Sequence, residues 1–213
     1  MKKLSLALAA LALLATPSIA LADAIPYANK GTVNPTVYNF VAGFDGDIWG
    51  YFIGGDAEFG SMTNMSIAGG AYNPPDPGTF QNHSTLVGAE VLFASGVTAG
   101  DTIDLKLSVS ILNPLGPPVL SFELFSNPLS NPDLNNRVYA TAYTGSIGDC
   151  DEAGANCTYI GWEDKLVGSD WDYNDHQFVF KGVSTNDVPD GGSALALLGV
   201  ALTGLGVMRR RLS

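Results

Sequence analysis

Five carboxylates fall within thirteen residues near the end of the chain: Glu163, Asp164, Asp170, Asp172 and Asp175, with Lys165 the single base among them. Like charges at that density repel unless some take up protons or a cation sits among them. At neutral pH a hard divalent cation is the simpler remedy. Asp170, Asp172 and Asn174 alternate, so an extended or curling segment can turn three oxygen-bearing side chains toward one point. Calcium accepts about six to eight oxygens, backbone carbonyls and waters included, in tolerant geometry, whereas zinc prefers nitrogen or sulfur. The expected ligands are therefore Glu163, Asp164, Asp170, Asp172, Asn174 and Asp175, with calcium as the ion. Counted from Asp170, an EF-hand loop would place its glycine at Asp175 and its bidentate glutamate at Lys181, so this is not an EF-hand. The competing reading is local: Asp and Asn cap turns through neighbouring backbone amides with no metal present. A second acidic stretch, Asp45, Asp47, Asp56 and Glu58, reads as a hairpin turn with solvated edges.

Other reactive residues are sparse. His83 and His176 are the two histidines, and imidazole is the usual neutral-pH base. His83 adjoins Ser84, but no G-x-S-x-G elbow is present. His176 follows the acidic loop and is expected to pair with a carboxylate. The chain is read as non-enzymatic. Cys150 and Cys157, the two cysteines, enclose six residues. In an oxidising compartment such a close pair reads as a disulfide clamping a loop. Trp49, Tyr51, Trp171 and Tyr173 could stack on sugar rings, which keeps a carbohydrate-binding module in view; strand aromatics more often serve the core. A polysaccharide hydrolase using paired carboxylates is the more distant alternative.

The elements that must position these residues read as strands. Asp101 to Leu112 alternates, with Ile103, Leu105, Leu107, Val109 and Ile111 on one face and Thr102, Asp104, Lys106, Ser108 and Ser110 on the other. Shorter strand-like runs cover 36–42, 48–53, 88–94, 119–125, 137–143, 158–162 and 177–183. Clusters rich in Pro, Asn and Gly separate them, at 73–78, 113–118 and 126–136; proline cannot donate a ladder hydrogen bond. About eight short strands without helical periods predict an all-β fold, a single jelly-roll-like β-sandwich. Residues 185–191 read as a stalk.

Both ends carry addressing patterns. Lys2 and Lys3 precede an apolar run from Leu4 to Ala15, followed by Pro17 and the small-x-small triplet Ala20-Leu21-Ala22. This is the pattern of a signal peptide over 1–22, and the run is shorter than the roughly 20 residues a membrane helix needs. Residues 23–187 then form the exported β-sandwich domain. At the other end Val188-Pro189-Asp190-Gly191-Gly192-Ser193 precedes an apolar run from Ala194 to Met208 and Arg209-Arg210-Arg211. Such a run can form a short transmembrane helix, and the arginines would stay cytoplasmic, leaving the domain outside. Between the two, 23–187 holds five bases against twenty acids, a net of −15. That surface repels phosphate backbones and argues against nucleic-acid binding.

The order VPDGGS, apolar span, RRR over 188–213 resembles the PEP-CTERM class of sorting signals in its VPDSG-type variant, with Gly192-Ser193 where the variant has serine then glycine. The resemblance implies processing by a membrane transpeptidase, exosortase, at a cell envelope or surface associated with exopolysaccharide. The run Trp162-Glu163-Asp164, then Asp170-Trp171-Asp172-Tyr173-Asn174-Asp175, then Phe178-Val179-Phe180 is similar to an E-D…D-x-D-[FY]-N-D motif. That motif belongs to an uncharacterised bacterial surface β-domain family. Tyr38–Phe52, Gln81–Gly88 and the long alternating strand at 101–112 also look like exported relatives, so the resemblance covers most of residues 27–184, and it implies an extracellular β-domain with no established reaction. Together these readings describe an exported surface or matrix structural protein, calcium-stabilised, with a carbohydrate-binding module as the alternative.

Overall fold

The computed structural model describes residues 24–74, 81–111, 120–150 and 156–187. The expected signal peptide at 1–22 and the sorting segment at 188–213, with Val188 to Ser193 and the apolar run, lie outside them. Among the described residues no helix is long and apolar enough to cross a membrane.

The order is β1 Tyr38–Ala42, β2 Gly46–Gly54, β3 Gly60–Ile67, β4 Glu90–Val97, β5 Thr102–Ile111, β6 Leu120–Phe125, β7 Val138–Ala142, β8 Cys157–Trp162, β9 His176–Lys181 and β10 Val183–Asp187, with one 3-10 turn at Pro128–Ser130. Two five-stranded antiparallel sheets result. One runs β10-β1-β5-β3 with β6 also on β5; the other runs β4-β2-β9-β8-β7. The simplest jelly roll has about eight strands; this sandwich has ten among the described residues.

The alternation of β5 does what its pattern predicts: Ile103, Leu105, Leu107 and Val109 are buried. They face Ile48, Phe52, Phe93, Ile160, Trp162, Phe178 and Phe180 of the second sheet in one continuous core. Each large side chain removed from water contributes roughly 1.5–3 kcal/mol before entropy is counted. The strands β8 and β9 are buried on both faces, which explains their near-continuous apolar sequence. Their outer face meets a second cluster of Tyr51, Ile53, Tyr143, Ile147, Cys150, Cys157, Tyr159 and Val179. The disulfide between Cys150 and Cys157 forms, with Cα atoms 5.8 Å apart, and clamps this roof to the start of β8.

Two strands escape the sequence pattern. Along β3 the inward positions include Ser61 and Thr63, both buried, so polar residues occupy the core face and hide the alternation. The supposed stalk at 185–191 begins as strand: β10 pairs with β1 from Ala42↔Val183 to Tyr38↔Asp187. Val183 is its one large apolar residue and is fully buried, too little for a periodicity to register.

Candidate cation site

The acidic segment is the connection between neighbouring strands β8 and β9. Strand pairing continues into both its ends, because the Glu163 amide donates to the Arg137 carbonyl at 3.0 Å and the Asp175 amide donates to the Trp162 carbonyl at 3.1 Å. Between them the backbone curls. Trp171 and Tyr173 take left-handed φ values of 52° and 57°, an arrangement costly for bulky residues and held only when its surroundings over-determine it. Two glycines make room. A Cβ on Gly161 would lie 2.2 Å from the Tyr173 carbonyl oxygen, and one on Gly55 would lie 2.4 Å from that of Asp175.

The alternation Asp170-Trp171-Asp172-Tyr173 separates acids from aromatics. Trp171 lies over the guanidinium of fully buried Arg137, 4.7 Å from carbon to ring centre. That guanidinium also donates to the Asp133 carboxylate, the Lys165 carbonyl and the Ser169 hydroxyl. Tyr173 is buried, and its hydroxyl donates to the Asn136 carbonyl at 3.1 Å. On the other side, one oxygen each from Glu163, Asp170 and Asp172 lie within 4.8 Å of one another. Glu163 is the buried member, Asp172 is half-buried and Asp170 exposed.

The other three expected ligands stand differently. Asn174 braces Asp172, its side-chain amide donating to Asp172 Oδ2 at 2.7 Å and its backbone amide to Oδ1 at 3.3 Å. Asp175 Oδ2 accepts the Asp164 amide at 2.8 Å. Asp164 is buried beside Asp175, outside the Glu163–Asp170–Asp172 group. Carboxylates that brace the backbone and three that converge on one point therefore share one loop, divided between different residues.

The Glu163 and Asp164 side chains are both 0% exposed and, as carboxylates, neither has a well-formed hydrogen bond from a donor; each lies against Asp175, with which a held proton can be shared. Burying an uncompensated carboxylate is costly, and the group answers by holding its proton. Burial first, then the charges of Asp175 and Asp170, push Glu163 up to about 8. Burial and then Asp175 push Asp164 up to about 8. Asp175 is raised as well, by burial above all.

His176 does not meet a carboxylate. Its Nδ1 lies 3.1 Å from Ser61 Oγ, and its ring packs 4.4 Å from Phe178 and 5.6 Å from Phe52 between centroids. Burial, then His83, push it down to about 3. The Ser61 hydroxyl and the imidazole Nδ1 thus satisfy each other within the core. His83 Nε2 lies 2.9 Å from the Phe59 carbonyl oxygen, in a turn. Of the proposed sugar platforms, Tyr51 and Tyr173 are buried while Trp49 and Trp171 are half-buried. In the weaker acidic stretch, Asp45 and Asp47 accept the backbone amides of Ala99 and Gly96, 54 and 49 residues along the chain, and so tie the start of β2 to the end of β4 and the turn after it.

What sequence reasoning missed is the opposing surface of the loop. Residues 24–37 contain no strand but run along it. The Gly31 amide donates to the carbonyls of Asp170 and Trp171 at 3.1 and 3.3 Å. The Asn34 amide donates to the Tyr173 hydroxyl at 2.7 Å. Tyr27 packs edge-on to Tyr173, with centroids 4.9 Å apart, and Lys30 Nζ stands 3.5 Å from Asp172 Oδ2. An irregular segment has no periodicity to announce such contacts.

The VPDSG-CTERM motif family matches residues 187–212. The match supports a PEP-CTERM-type sorting signal of the kind processed by exosortase-type systems, and an exported, surface-associated chain. No curated protein and no solved structure matches the chain.

Proposed function

We propose that this exported protein is a non-catalytic structural component of the cell surface or its matrix, whose β8–β9 loop binds calcium. The observation that carries the reading is Glu163: fully buried, its carboxylate without a well-formed hydrogen bond from a donor, and grouped with Asp170 and Asp172. A divalent cation there relieves the repulsion and compensates the desolvated charge together. Glu163, Asp170 and Asp172 are the side-chain ligands, with backbone carbonyls and waters filling the tolerant calcium sphere. Asn174 and Asp175 hold the loop in shape, and Asp164 supplies further negative charge beside the site. The tail is handled by an exosortase-type transpeptidase, its apolar run serving as a membrane anchor before processing, and exopolysaccharide is the material the domain meets outside. A carbohydrate-binding role is the second reading; it rests on the half-buried rings of Trp49 and Trp171.

Thermal unfolding of the full chain in detergent, with calcium or with chelator, tests this. Calcium should raise Tm, and linkage makes the gain about 2.7 kcal/mol at a hundredfold excess over Kd. Glu163→Gln should abolish that rise. It should also stabilise the chelated protein near neutral pH, because folding then no longer has to protonate that carboxylate. Equal Tm values with and without calcium would leave turn chemistry alone.

A further inference from the structure

The segment 25–36 touches the same few residues whose carboxylates converge. Gly31 fixes the carbonyls of Asp170 and Trp171; Asn34 and Tyr27 fix Tyr173. The segment is itself tied to β7 and its approach. Buried Asn34 donates through its side-chain amide to the Val138 carbonyl at 3.0 Å and to the Tyr38 hydroxyl at 2.9 Å. Asn136 donates back to the carbonyls of Thr36 and Asn34 at 2.6 and 3.3 Å. The left-handed backbone at Trp171 and Tyr173, which sets where Asp170 and Asp172 lie, is thus gripped from outside by this strap and from below by Arg137.

We propose that the amino-terminal strap is a positioning part of the cation site: its docking holds Asp170 and Asp172 toward Glu163, and an ion bound there fastens the strap in turn. This rests on the cation reading of the loop. The physical reason is that strap and ion order one piece of chain from opposite sides. The strap acts on the backbone of 170–173, the ion on the side chains of 170 and 172. Whichever arrives first meets part of the ordering cost of the other. Thermodynamic linkage makes the effect reciprocal, so a strap that tightens ion binding by some factor is itself tightened by that factor. Lys30 adds a competing element: its ammonium beside Asp172 is a tethered cation that a calcium ion must outbid or displace.

The test is amide hydrogen exchange of the full chain in detergent, with calcium ions or with chelator, alongside calorimetric titration with calcium. Peptides covering 27–36 should exchange at least about fivefold more slowly with calcium, the lower end of ordinary coupling between sites. Tyr173→Phe, which removes the hydroxyl held by Asn34 and Asn136 but no carboxylate, should weaken calcium by a like factor and erase that protection. Lys30→Met should tighten calcium by no more than about fivefold, the limit expected for an exposed ion pair. A strap of purely structural role would exchange at one rate in both conditions. Calcium that binds without changing strap exchange in the unmodified chain overturns the coupling and leaves the ion site standing. A titration showing no calcium binding removes both.

Discussion

Glu163 occupies a position where water has been removed and no donor put in its place. Asp164, one residue on, is buried as deeply. In the ion-free protein both are raised to about 8 from ordinary values of 4.5 and 3.8. The folded state therefore binds more protons than the unfolded chain across that interval. Their protonation supports the fold fully below about pH 4 and is lost as pH rises through about 8. The chelated protein should accordingly lose stability between pH 5 and pH 8.5, and the calcium-dependent gain should widen over the same range. Melting curves in paired calcium and chelator series check this; a chelated Tm that stays level from pH 5 to pH 8.5 would contradict it. The residue types alone announced the charge problem. They could not say that Asp164 would be separated from Asp170 and Asp172, because that depends on the curl imposed by left-handed Trp171 and Tyr173.

A connection as long as the β8–β9 loop keeps one shape only if the strands beneath it permit close approach. Gly161 sits inside β8, where a side chain would usually help, and its lack of one lets the Tyr173 carbonyl come down onto the strand. Gly161→Ala should destabilise the domain by about 1–3 kcal/mol, as overpacking does. It should weaken calcium as well, since the displaced backbone carries Asp172. Denaturant unfolding and titration of the same variant read both effects, and an unchanged Kd would detach loop geometry from ion binding. Strands of strong alternation were legible beforehand, β5 above all, as were the Pro-rich breaks. The loop's acids were legible by type and spacing. Its supports were not, since Gly161, Arg137 and the strap act through tertiary contacts between residues far apart in the chain.

At the scale of the molecule, the sandwich closes with a strand whose sequence advertises almost nothing. β10 adds to the edge of the first sheet, and Val183 enters the core shared by both. Val183→Ala should cost about 1–3 kcal/mol, the transfer term plus a small cavity, measurable by chemical denaturation. A silent substitution would return the segment to the role of a stalk. Pairing persists to Tyr38↔Asp187, and the matched sorting motif spans 187–212. Folded body and address label therefore abut with no spacer between them. Three residues of extended chain reach at most about 10 Å, so Val188-Pro189-Asp190 cannot lie far from the end of the sheet. The last residue paired in the sheet is thus also the first residue of the matched motif, so folding of the edge strand and presentation of the motif meet at Asp187.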